Sequence, residues 1–158
     1  MRLLRTSGDR FTFHLGKREK PVLLAVLRRY PLIPPAHQSL SKSMTTAQHE
    51  ADQRLLEEAL AEQRRENRRQ LEALLNDRRR LKDVETGCRL TLSAGEVDWL
   101  LQVLNDVRVG SWIHLGAPET DLWDFELNEQ TAPHAWAMEM AGLFQMHLLE
   151  ALRRGEVS

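Results

Sequence analysis

The sequence predicts an α+β fold that is mainly α, with about four helices, one of them long and charged, and a small antiparallel sheet from an N-terminal hairpin. Three observations carry this. Apolar and polar residues alternate from Arg2 to Leu15, residues 45–82 hold neither glycine nor proline, and two segments beyond residue 93 repeat apolar residues at helical spacing.

The first element is the hairpin. Phe11, Phe13 and Leu15 alternate with Thr12 and His14, and Ser7-Gly8-Asp9 stands between the two halves. Residues 17–31, KREKPVLLAVLRRYP, read as a short buried helix, with a strand as the alternative; Pro21 is tolerated only near a helix start and Pro31 closes the segment. Residues 32–44, with two adjacent prolines and three serines, have the composition of an exposed linker.

From Thr45 to Lys82 the chain is crowded with Ala, Leu, Glu, Gln and Arg, which lose little entropy in a helix. One long helix is expected. A turn of ~100° per residue puts Leu56, Leu60, Leu71, Leu74 and Leu81 on one narrow face, like a coiled-coil seam, with Arg65, Arg69, Arg79 and Arg80 opposite. Gln63 and Asn67 fall on the leucine face and weaken it. Such a helix would be roughly 57 Å long, against a radius of gyration of about 15 Å for a compact domain of this size. It must break, project or find a partner.

Residues 88–93, CRLTLS, alternate again and predict a third strand. Ser93 and Glu96 then have the spacing of a capping box, opening a helix to about Gly110 with Val97, Leu100, Leu101, Leu104 and Val107 inward and Trp99 and Val103 widening the buried face. Residues 117–130 carry five acids and no base around Trp123 and Phe125. These aromatics either dock a partner or anchor the segment to its own core, and the second reading is favoured because large aromatics are usually buried. Thr131 and Pro133 open a last helix, to about Arg154, with the most apolar interior of all. The organisation is one domain over 1–158: hairpin and short helix to 31, linker over 32–44, charged helix over 45–82, core helices over 83–158.

The chemistry that can be read is mostly negative. With 22 basic and 23 acidic residues the formal net charge is -1, so only local patches can attract a polyanion. Cys88 is the one cysteine, which rules out an internal disulfide and a multi-cysteine metal site. It reads as an inert strand residue. No apolar run approaches the ~20 residues of a membrane span, and MRLLRTSGDR lacks the apolar core of a signal peptide. A cytoplasmic protein with no membrane partner is expected. His134 and Glu139 are five apart and diverge on a helix, and His147 with Glu150 supplies only two ligands, so no metal and no cofactor is expected.

The stretch LSAGEVDWLLQVLNDVRVGSWIHLG, with Asn105, Asp106, Arg108 and Gly110 in an Asn-Asp-x-Arg core followed by glycine, resembles the C-terminal part of an uncharacterised bacterial domain family best known from actinobacteria. Residues 11–27 resemble that family's start, so the likeness spans about half of the chain. It departs in the middle, where an arginine-rich helix stands in place of an acidic, aromatic segment. The resemblance implies no known activity, only a gene neighbourhood with the adaptor of the Clp protease.

Two sets of candidate residues follow. Asn105, Asp106, Arg108 and His114 are a candidate polar site, in which Arg108 either fixes a turn by an ion pair or joins Trp112 and His114 around a ligand. Leu56, Leu60, Asn67, Leu71, Leu74, Leu81, Trp123 and Phe125 are a candidate interface. The leading reading is a non-enzymatic interaction or regulatory protein, self-associating as a homo-oligomer through the long helix, with a protein partner as a further option. The second is nucleic-acid binding by residues 64–82, eight bases against three acids, though nearby glutamates and the lack of an aromatic among the arginines argue against it. An enzyme or small-ligand site near Asp106 and Arg108 ranks last.

Overall fold

A computed structural model describes residues 1–34, 46–119 and 125–157. Strands β1 (Arg2–Ser7), β2 (Arg10–Gly16), β3 (Leu81–Val84) and β4 (Gly87–Ser93) form one antiparallel sheet in the order β1-β2-β4-β3. Two hairpins therefore join along their inner strands. The two-residue period sends Phe11, Phe13 and Leu15 of β2, and Cys88, Leu90 and Leu92 of β4, to the same face, where all six are buried. Helices α1 (Glu19–Leu27), α3 (Ala94–His114) and α4 (Ala132–Val157) cover that face, and the end of α2 (Thr46–Asn76) packs beside β3. The α+β, mainly helical class is as the sequence predicts.

Each boundary has a local cause. Ser93 and Glu96 exchange side-chain and backbone hydrogen bonds at the start of α3, completing the capping box. The helix does not stop at Gly110 but runs to His114. Gly110 serves contact instead: a Cβ there would lie 2.7 Å from the carbonyl carbon of Leu32, so its absence lets the chain after α1 lie against α3. Asp106 holds that chain in place, its carboxylate accepting from the Leu32 and Ile33 N–H groups at 2.6 and 3.3 Å.

The long helix is real but shorter than expected, ending at Asn76 rather than Lys82. Asp77 ends it. Its side chain accepts from the Arg79 N–H at 2.9 Å and its carbonyl accepts from Arg80 and Leu81, a turn that competes with another helical turn. Leu81 thus leaves the helix for β3, a strand the sequence did not announce, opposite Leu90. Gln63 and Asn67 do not break α2: Gln63 donates to Asn67, which donates to the Tyr30 hydroxyl at 3.0 Å. The buried Asn67–Tyr30 bond fastens α2 to the end of α1.

Candidate nucleic-acid interface

The outer face of the sheet carries the complementary half of the strand period. Opposite residues on neighbouring strands run Arg2 to His14, His14 to Arg89 and Arg89 to Lys82, so one rung crosses all four strands and every position is basic or histidine. The next rung sets Arg5 against Thr12 and Thr12 against Thr91, and Arg10 lies against Ser93 one further on. Arg79 joins them from the turn before β3, lining a depression of about 380 Å³ with Arg5, Lys82 and Arg89. A second depression, of about 460 Å³, lies between Arg2, His14 and Arg89.

Regular alternation would not place Arg2 and Arg5 together, because they are three apart. A bulge between Leu3 and Arg5 shifts the β1 register and returns Arg5 to the outer face, leaving Leu4 exposed between them.

Like charges directly opposite on a sheet repel. Acids usually relieve this, yet among the described residues Arg2, Arg5, Arg10, Arg79, Lys82 and Arg89 form no ion pair, and Glu85 is the one carboxylate lining either depression. His14 contacts the Thr86 hydroxyl at 2.9 Å. The arrangement sets side chains that form no ion pair among the described residues about 5 Å apart from strand to strand, a spacing suited to an extended polyanion.

Of the polar residues singled out on α3, Asn105 and Arg108 meet and the others point elsewhere. Asp106 faces the Leu32–Ile33 backbone, whereas Arg108 is exposed on another side, donating to Asn105 at 3.1 Å, so no Arg108 ion pair fixes a turn among the described residues. His114 bonds its own helix at the Gly110 carbonyl, 2.7 Å away, and stacks on His134 with ring centroids 4.8 Å apart. Arg29 donates to the His134 Nδ1 at 2.9 Å. Burial, then Arg29, then His114 hold the His134 pKa below the usual histidine value, so that ring accepts from Arg29 in its neutral form.

The leucine face of α2 is no free seam. Leu71 and Leu74 are buried in the chain's own core, Asn67 is committed to Tyr30, and Leu81 lies on β3. Leu56 and Leu60 are half-buried, and it is Leu55 that stands out, 64% exposed. Phe125 packs with Leu115, Ala135, Met138 and Trp112, as an anchor would; Trp123 lies outside the described residues. Cys88 is fully buried and its thiol pKa is raised by that burial. Among the described residues no helix is long and apolar enough to cross a membrane.

One further surface lies between α3 and α4, a groove of about 490 Å³ floored by Gly142 and walled by Val109, Trp112, Met138, Leu143 and Met146, with Arg108 and Glu139 at its edges. No family model, curated protein or solved structure matches the chain.

Sequence reasoning did not single out Arg2, Arg5, Arg10, His14 and Arg89. The alternations Arg10-Thr12-His14 and Arg89-Thr91-Ser93 carry part of the signal, since each marks the polar face of its strand.

Proposed function

We propose that the protein binds the phosphodiester backbone of a nucleic acid on the outer face of its sheet. The observation that carries this is the Arg2–His14–Arg89–Lys82 rung, four positively charged or protonatable groups in line with no paired carboxylate among the described residues. Repulsion within that rung costs folding stability, and a phosphate chain would relieve it while gaining affinity from released counterions. Among the described residues no Phe, Tyr or Trp lines the two depressions and His14 is the one ring there, so base stacking contributes little. Binding is then to the backbone and largely indifferent to sequence.

The test is fluorescence anisotropy of a labelled duplex and a labelled single strand of unrelated sequences, titrated at several salt concentrations. Engagement of four or five phosphates gives a slope of log K against log salt of about -4 for the duplex. Absence of binding at low salt, or binding that salt does not weaken, overturns the reading.

A further inference from the structure

On α4, the residues Trp136, Glu139, Leu143, Met146 and Leu149 are all exposed and recur every three or four positions, which places them along one side of the helix. Leu143 is 39% exposed, Met146 58% and Leu149 55%, on a helix whose opposite side supplies the buried Ala137, Ala141, Phe144 and Leu148. The apolar stripe runs about 20 Å from Trp136 to Leu149. That is longer than a small ligand needs and matches a few turns of a second helix.

The charges narrow the choice of occupant. Arg108 and Glu139 flank the same groove, but they form no ion pair with each other; Arg108 instead donates to Asn105. The groove therefore presents one cation and one anion, each exposed and neither neutralised among the described residues. A surface with one charge of each sign beside an apolar stripe is complementary to itself after a two-fold rotation. Gly142 lies between Glu139 and Met146 in the groove, where an added Cβ would meet only the Arg108 Cδ, at 3.7 Å, so the surface is open there to a second helix.

We propose that α4 forms an antiparallel two-fold contact with α4 of a second copy of this chain, crossing at Gly142, with Arg108 of each copy paired to Glu139 of the other. In that register Leu149 of one copy meets Trp136 of its partner, and Leu143 packs beside the partner's Gly142. The contact uses the side of the helical layer away from the sheet. Both basic sheet faces stay open, and a dimer would hold two of them on one particle.

Sedimentation or light-scattering mass, measured across a concentration series, tests this on the full chain. The mass of two chains is expected, with Leu143→Glu giving one. Arg108→Glu and Glu139→Arg each weaken the dimer by about tenfold or more through like charges, and the double variant restores it to within about threefold. Arg108 and Glu139 are both exposed, so each variant should keep the parent's helical circular-dichroism spectrum, which shows that it still folds. A wild-type monomer at every concentration overturns the proposal, and so does a dimer that neither single reversal weakens. A double variant no tighter than the singles overturns the Arg108–Glu139 pairing and with it the register.

Discussion

Two arginine-rich regions of this molecule behave in opposite ways. On α2, Arg65 pairs with Glu62, Arg69 pairs with Glu62 and Glu66, and Arg64 donates to the Ile33 carbonyl at 2.5 Å; of the four arginines from 64 to 69 only Arg68 lacks a partner among the described residues. On the sheet, the six basic side chains of the outer face are without carboxylate partners among the described residues. In the dense cluster three of the four arginines are thus engaged, two of them by carboxylates, and in the dispersed one none is paired with a carboxylate among the described residues. Helical spacing explains the first case, because residues three and four apart are neighbours and a glutamate at that interval reaches its arginine. Strand pairing explains the second, because it gathers residues from positions 2, 14, 82 and 89 into one line. The density of charge along a chain says little about the field it makes. What decides is whether a partner lies within reach once the backbone is folded.

The largest effect that would sharpen this contrast is on binding. Reversing Arg89 and Lys82 together to glutamate is expected to weaken nucleic-acid affinity by about a hundredfold or more, since each reversal removes a phosphate contact and adds a repulsion. Reversing Arg65 and Arg69 on α2 is expected to change it by less than about threefold, because those side chains are already engaged. Anisotropy titrations of the two double variants in the same buffer make the comparison. Equal losses from both would break it, by showing that long-range charge rather than a defined face attracts the ligand.

The same division between held and free charge runs along α3. Asp106 accepts two backbone N–H groups, whereas Arg108, two residues on, is exposed with only Asn105 for a partner among the described residues. Replacing Asp106 with alanine leaves the Leu32 and Ile33 donors unmet and should cost about 1–3 kcal/mol of stability. Replacing Arg108 with alanine should cost less than about 0.5 kcal/mol at protein concentrations low enough for the parent to be monomeric. Urea unfolding midpoints of the two variants test this, and a larger loss for Arg108 would show that its apparent freedom is wrong.

What the sequence makes legible follows from how local each signal is. The hairpin of β1 and β2, the strand at Leu90, the capping box at Ser93 and the apolar side of α4 all rest on periodicity or contacts within a few residues. The end of α2 is hidden in the sequence because Leu and Arg continue to favour a helix past Asn76, and only the Asn76-Asp77 pair hints at a turn. Leu81 is thereby read onto the wrong element. Lys82 and Arg79 likewise stand with the α2 arginines in the sequence, although β3 and the turn before it deliver them to the sheet. The basic rung itself was illegible for two reasons: strand order is not a local property, and the β1 bulge breaks the alternation that would have assigned Arg5 to a face. Asn105, Asp106, Arg108 and His114 were grouped by nearness in sequence, but a helix turns by about 200° between 106 and 108 and separates them.

The smallest expected effect is the most discriminating, because it is opposite in sign to what mutations usually do. Arg89 sits between His14 and Lys82 in the rung, so Arg89→Thr removes the like charge opposite Lys82 and places a β-branched residue on the outer face of an inner strand. A gain of a few tenths of a kcal/mol is expected, seen as a melting temperature higher by about 1 °C. Affinity for nucleic acid should fall in the same variant. Added salt screens the rung, so the stabilising difference between Arg89→Thr and the parent should shrink as ionic strength rises. A variant that is both less stable and unchanged in affinity would mean that Arg89 contributes to the sheet by packing. The unpaired charges of the outer face would then be a tolerated cost of folding rather than a cost retained for a ligand.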